Sequence, residues 1–179
     1  TETAQSLVIQ AKKKIEEISN KDGLSGIPSG FTKLDRLTSG WQPSDLIIVA
    51  ARPGMGKTAL TLTMARNIAV DQNFPVAFFS LEMSSVQLIT RLISSETGLS
   101  SEKLRTGKLE KHEWEQLNVK VKSLEKAPLF IDDTPSLSIF DLRAKARRLA
   151  SQYGIKMIVI DYLQLMTAGG SQKGGNREQ

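Results

Sequence analysis

The chain has 179 residues, of which 40% are hydrophobic and 24% are charged, proportions normal for a globular domain with its own core. It has no cysteine and one histidine, which excludes disulfides and thiolate metal sites and leaves too few ligands for a zinc site. No apolar run approaches the ~20 residues of a membrane helix. The net charge of +5 fits a polyanionic partner but does not establish one, because ATP-binding proteins can be equally basic.

The first predicted element is a helix over residues 3 to 19. Its apolar residues recur every three or four positions, at Ala4, Leu7, Val8, Ala11, Ile15 and Ile18. The spacing favours packing of this stripe against the chain's own domain, with docking onto another chain as the alternative. Residues 20 to 23 break the helix. Thr32 is then predicted to cap a short helix from Lys33 to Leu37, with Asp35 completing a capping box.

The most informative segment follows a predicted buried strand, Asp45 to Ala50, and precedes a helical pattern from Ala59 to Val70. A strand, a glycine-bearing loop, Gly-Lys-Thr and a helix form the arrangement that cradles nucleotide phosphates. The residues predicted to bind the nucleotide are Ala51, Arg52, Pro53, Gly54, Met55, Gly56, Lys57 and Thr58. The first of these, Ala51, departs from the usual glycine.

Each part of this loop has a chemical role. Gly54 and Gly56 let the backbone turn its N–H groups inward with no Cβ in the way. The amides at the start of the following helix add a favourable field for anions. Lys57 would reach the β- and γ-phosphates, and the Thr58 hydroxyl would bind Mg²⁺.

Beyond the loop, strands and helices alternate. Further strands are predicted at 76–80, 128–132 and 156–160, and longer helices at 84–96, 113–125 and 138–153. This alternation predicts an α/β fold with a parallel sheet and right-handed crossovers. Ligands of such sheets bind at the carboxyl ends of the strands. Glu82, Asp132 and Asp161 are therefore expected at the edge that carries the phosphate loop.

Two aspartates compete for the role of Mg²⁺ ligand. Asp161 ends the longer apolar run, whereas Asp132 is followed by residues typical of a turn. The pattern favours Asp161, and for either residue the alternative is a plain strand end. Glu82 is the candidate base that activates water, although a glutamate after a buried strand is not by itself a specific signal.

These segments together resemble the ATPase domain of DnaB-type replicative helicases. The resemblance is carried by six stretches: residues 25–35, 45–58, 79–84, 131–135, 142–148 and 160–166. It covers about residues 5 to 179. Ala at the first position of the phosphate loop is tolerated in that family, so Ala51 fits the resemblance.

The resemblance implies a RecA-like P-loop NTPase fold and a motor that hydrolyses ATP and moves along single-stranded DNA to unwind the duplex. Glu82 and Lys57 would be catalytic, and Thr58 with Asp161 would hold Mg²⁺, with ATP as the bound nucleotide. The implied partners are single-stranded DNA, further copies of the chain in a hexameric ring, primase and a helicase loader, with no membrane. The implied location is the bacterial cytoplasm, in association with the nucleoid.

The resemblance also implies two parts: a linker helix at 1–22, which docks on a neighbouring subunit, and an ATPase domain at 23–179. We expect that domain to be truncated after the strand ending at Asp161, with the sensor glutamine, the main DNA-contacting loop and the arginine finger beyond Gln179. The chain alone would then bind ATP with little turnover. The loop from Thr167 to Asn176 would face the ring channel or be a flexible insertion. The rival interpretations are a recombination-type or clock-type RecA-like ATPase, and a non-catalytic module that binds ATP or a loader.

Overall fold

The computed structural model describes residues 1–20 and 24–166. Residues 21–23 of the predicted helix break at 20–23 and the predicted loop from Thr167 to Asn176 lie outside these residues. The chain divides into two compact units, the first spanning Thr1–Lys57 and the second starting at Thr58. The predicted division after residue 22 stays a prediction.

The helices are α1 (Ala4–Ser19), α2 (Thr32–Thr38), α3 (Lys57–Arg66), α4 (Ser85–Thr97), α5 (Ser101–Thr106), α6 (Lys111–Lys120), α7 (Lys122–Lys126) and α8 (Ile139–Tyr153). A π-helical turn (Asn67–Asp71) extends α3, and a 3₁₀ turn (Leu163–Leu165) follows the last strand. The strands are β1 (Val76–Ser80), β2 (Leu129–Asp132) and β3 (Met157–Asp161). Among the described residues, no helix has the length and apolarity needed to cross a bilayer.

In the first unit, α1 forms as predicted and begins after Thr3, whose side chain accepts a hydrogen bond from Ser6 N. None of its residues is buried. The predicted cap of the next helix is wrong, because Thr32 is already helical and Phe31 occupies the cap position without a side-chain bond. Asp35 instead reaches back to the buried Ser29 and accepts hydrogen bonds from its N–H at 2.8 Å and its hydroxyl at 2.7 Å.

The predicted strand at 45–50 is not formed. These residues have no strand assignment, and Leu46 and Ile48 are 88% and 80% exposed. A strand exists only where its N–H and C=O groups pair with a neighbouring strand. The apolar run itself is present in the sequence, but in the described part of the chain no neighbouring strand pairs with it.

The second unit is built on a parallel sheet with strand order β2-β1-β3. All five residues of β1 are buried, as expected for a central parallel strand covered by helices on both faces. Two residues of β1, Phe78 and Phe79, are among the largest fully buried side chains of the described residues. Helices α4 and α8 lie within one residue of their predicted bounds. Ser84 and Ser138 cap their first turns, and Gly98 and Gly154 end them in the left-handed region. The predicted helix at 113–125 is instead divided at Val121 into α6 and α7.

Candidate functional site

The phosphate loop, residues 51–56, has a backbone that glycine alone adopts easily at two positions. Gly54 has φ +77° and Gly56 has φ +85°, both in the left-handed region. Between them, Met55 N donates to Arg52 C=O at 3.2 Å. The loop leads directly into α3, which begins at Lys57, two residues earlier than predicted. The loop therefore precedes a helix N-terminus, where the helix dipole and the first-turn amides, which have no acceptor within the helix, favour an anion.

Thr58 and Asp161 are brought together in the second unit although they are 103 residues apart in sequence. The Thr58 hydroxyl donates to Asp161 Oδ2 at 2.7 Å. Asp161 is the last residue of β3 and is only 1% exposed. A hydroxyl and a buried carboxylate side by side supply the oxygen ligands that Mg²⁺ prefers, and this ion usually takes only one or two protein ligands. The residues present therefore fit the predicted Mg²⁺ site.

The three predicted acids lie at one edge of the sheet, as expected. Ser80 at the end of β1 is in register with Asp161, and Phe79 is in register with Asp132. Glu82 follows Ser80 by two positions. The carboxyl ends of all three strands thus meet at the same edge, where ligands of parallel sheets bind.

The Asp132 carboxylate is bonded to residues of the loop after β2 and of α8. Its Oδ2 pairs with Lys145 Nζ at 2.8 Å, and its Oδ1 accepts from Thr134 N at 2.9 Å. Burial acts to raise the pKa of Asp132, but the hydrogen bonds from Lys145 and Thr134 outweigh it and hold the pKa below the ordinary range. Through these contacts, Asp132 holds the loop after β2 against α8.

Glu82 lies in the turn between β1 and α4, with its side chain exposed. Ser80, which is 1% exposed, braces this turn: its hydroxyl donates to Met83 C=O at 2.7 Å and accepts from Met83 N at 3.1 Å. Ser80 is not among the predicted site residues, because a serine at the end of a strand carries no distinguishing pattern. Asp133, whose Oδ2 accepts from Ser85 N at 2.8 Å, is not among them either.

A parallel sheet flanked by helices, with a glycine loop opening into a helix and acids at the carboxyl edge, defines a P-loop NTPase of RecA-like type. Solved structures agree with this class. The ATPase domain of G40P matches with a TM-score of 0.86 and 29% identity, over 97% of this chain and 62% of that one. A DnaB-like replicative helicase, solved with its interactions with primase, matches with a TM-score of 0.79 and 29% identity, over 97% of this chain and 42% of that one.

Residues 26–179 match the family model for the DnaB-like helicase C terminal domain, and the chain belongs to this family. The replicative DNA helicase DnaB of Geobacillus stearothermophilus is 51% identical over 176 residues, which are 98% of this chain and 38% of that relative. The replicative DNA helicase DnaC of Bacillus subtilis is 45% identical over 98% of this chain and 38% of its own length. The chain therefore spans well under half of either relative. The predicted family and RecA-like fold are confirmed.

Proposed function

We propose that this chain is the ATP-binding and ATP-hydrolysing motor domain of a replicative DNA helicase, which unwinds duplex DNA while it translocates on single-stranded DNA. The observation that carries the proposal is the Thr58–Asp161 hydrogen bond at 2.7 Å. It joins the last residue of the phosphate-loop motif to the acid that ends β3. The 51% identity to a replicative DNA helicase supports the parent activity.

In this proposal the loop residues 51–56 enclose the phosphates with backbone N–H groups. Lys57 places its ammonium between the β- and γ-phosphates. Thr58 and Asp161 hold Mg²⁺, which when bound neutralises charge on the phosphate oxygens. Glu82 orients the attacking water and accepts its proton. Phosphoryl transfer requires little else from a protein than this positioning and charge stabilisation.

The proposal extends to assembly and location. We place a linker helix at 1–22 and the ATPase domain at 23–179, in a hexameric ring that binds single-stranded DNA, primase and a loader in the bacterial cytoplasm, close to the nucleoid. The apolar stripe of α1 supports the linker role, because Leu7 and Ile15 are 50% and 65% exposed. Helices in proteins are stabilised mostly by packing of an amphipathic face, so a partner surface would stabilise the 16-residue α1.

The 179-residue chain by itself is expected to bind ATP–Mg²⁺ and to hydrolyse it slowly. The residues proposed for binding and water activation are all present, but no residue of this chain is assigned as an arginine finger. Such an arginine contributes about 10³ to 10⁵ in rate where it is used. Turnover by this chain equal to that of the full-length protein would contradict this expectation.

The test compares the two rival aspartates. ATP affinity is measured by calorimetry, with Mg²⁺ and with a chelator, in Asp161→Asn and Asp132→Asn. We expect Asp161→Asn to lose most of the Mg²⁺-dependent part of the affinity and Asp132→Asn to retain it, because Asp132 is paired with Lys145. The reverse result would move the Mg²⁺ site to Asp132.

Motor activity is tested in the full-length protein by strand displacement on a forked DNA. We expect unwinding that needs hydrolysable ATP and a hydrolysis rate that single-stranded DNA increases. ATP binding without DNA-stimulated hydrolysis would instead support a non-catalytic module.

A further inference from the structure

The turn that carries Glu82 is held by hydrogen bonds to its backbone on both sides. Before Glu82, Leu81 N donates to Asp161 C=O at 2.8 Å. After it, Met83 N donates to Ser80 Oγ at 3.1 Å. Within residues 1–20 and 24–166, no side chain hydrogen-bonds the Glu82 carboxylate. The turn therefore sets the backbone position from which the Glu82 side chain extends.

Asp133 holds the far end of this turn. Its Oδ2 accepts from Ser85 N at 2.8 Å, across 48 residues of sequence. Ser85 is the first residue of α4 and comes three positions after Glu82. Amides in the first turn of a helix have no partner within the helix, and the helix dipole favours a carboxylate there. The hydrogen bond from Ser85 N lowers the pKa of Asp133, because it favours the ionised carboxylate.

The loop that presents Asp133 is itself fixed on both sides. On one side Asp132 pairs with Lys145 of α8 at 2.8 Å. On the other, Lys145 Nζ donates to Thr134 Oγ1 at 2.7 Å. Asp133 therefore projects from a loop tied to α8, and its bond to Ser85 connects that loop to the turn of Glu82.

Capping of α4 does not by itself account for Asp133. The helix already has a complete capping box: the Ser84 hydroxyl accepts from Gln87 N at 3.2 Å, and Gln87 Oε1 accepts from Ser84 N at 3.0 Å. Both of these contacts are local. The contact from Asp133 differs because it comes from the loop after the neighbouring strand β2, and it ties the start of the helix to that loop.

We propose that Asp133 is a positioning residue for Glu82: by accepting from Ser85 N, it fixes the β1–α4 turn and hence the place of the Glu82 carboxylate at the sheet edge. The inference rests on the proposed role of Glu82 as the base that activates water. A displacement of about 1 Å at a reacting group can reduce a rate about 100-fold.

The test is Asp133→Ala in the full-length protein, with steady-state ATP hydrolysis as the readout. We expect kcat to fall by about 10- to 100-fold, the usual size for a residue that orients a reacting group, with KM for ATP unchanged. Asp133→Asn keeps an acceptor oxygen and should retain most of the rate. Ser100→Ala is the matched control, since it removes a capping contact to Lys103 N at 3.2 Å in α5 and should change neither constant.

A double-mutant cycle separates this inference from the proposed function. If Asp133 acts through Glu82, Asp133→Ala should cause no further loss in the residual hydrolysis of a Glu82→Gln background, measured in single turnover at high enzyme concentration. If the two substitutions reduce kcat independently, so that their factors multiply in the double variant, the positioning role is overturned. A wild-type kcat in Glu82→Gln would refute the proposed base, whereas a wild-type kcat in Asp133→Ala beside an inactive Glu82→Gln would refute the positioning role alone.

A second variant covers the case in which Asp133→Ala fails to fold. Ser85→Pro removes the N–H that donates to Asp133, at the first helical position, where proline is well tolerated. We expect a loss of kcat with unchanged KM in this variant also. A folded Ser85→Pro protein with wild-type kcat would overturn the inference.

Discussion

Gly56→Ala tests whether the left-handed backbone of the phosphate loop is what binds nucleotide. Gly56 has φ +85°, and an added Cβ would meet no heavy atom within 4 Å. The change therefore introduces no clash with the chain itself, and its conformational effect is the preference of alanine for negative φ, about 1–2 kcal/mol. Because Gly56 is exposed, the loop of the variant can relax in the free protein and must return to the left-handed region when phosphate binds.

That free energy should then weaken the binding of ATP. A cost of about 1–2 kcal/mol raises Kd for ATP by about 5- to 30-fold. The free energy of unfolding should stay nearly unchanged, since the free loop avoids the strain. Calorimetric titration with ATP at fixed Mg²⁺ gives Kd, and denaturant unfolding gives stability.

Gly98→Ala provides the matched control. Gly98 has φ +73° and also no heavy atom within 4 Å of an added Cβ. Its N–H donates to Ser94 C=O at 2.9 Å at the end of α4, so the helix end holds the strained conformation in the folded state. We expect Gly98→Ala to lose about 1–2 kcal/mol of unfolding free energy with unchanged Kd. If Gly56→Ala behaves in the same way, its backbone serves folding and not phosphate binding, and the reasoning is refuted.

Three further predictions concern other parts of the chain. Lys57→Ala should abolish ATP binding in the same titration, because it removes the cation between the β- and γ-phosphates; unchanged affinity would exclude Lys57 as the anchor. Asp132→Asn should lower the unfolding free energy by up to about 1 kcal/mol at pH 7. The pKa of Asp132 is lower in the folded state than in the unfolded state. Its contribution to the unfolding free energy is therefore present above the unfolded pKa of about 4 and is lost as pH falls through the folded pKa. The difference in stability between the variant and the wild type should vanish in acid. Leu7→Ser with Ile15→Ser should weaken ring assembly of the full-length protein, measured by native mass. The melting temperature of the monomer should stay nearly unchanged, since both side chains are at least half exposed. A loss of several kcal/mol of unfolding free energy would show that α1 packs within its own chain.

The sequence predicted those elements whose signals are local. Ser84 and Ser138 each precede a helix whose amides they cap, and Gly98 and Gly154 end those helices in the left-handed region. The strand β1 was predictable because a short apolar run between breaks is typical of a buried parallel strand. At 45–50 the same kind of run is present, but a strand also needs a partner, which no local pattern specifies.

The candidate site shows the same limit. Order along the chain placed Asp161 and Asp132 at one sheet edge, and the longer apolar run before Asp161 only favoured it as the Mg²⁺ ligand. The structure distinguishes them by their partners, because Asp161 accepts from Thr58 and Asp132 pairs with Lys145. The contact of Asp133 with the turn of Glu82 spans 48 residues and depends on tertiary packing, so no spacing in the sequence could indicate it.

The most direct test of the proposed function is Glu82→Gln in the full-length protein, with ATP affinity and ATP hydrolysis measured side by side. Glutamine preserves the shape of the side chain but cannot take a proton from water at neutral pH. We predict that Kd for ATP–Mg²⁺ stays at the wild-type value while hydrolysis is lost. A hydrolysis rate close to wild type would contradict the account, because Glu82 would then be only a residue of the turn after β1 and the base would have to be sought elsewhere.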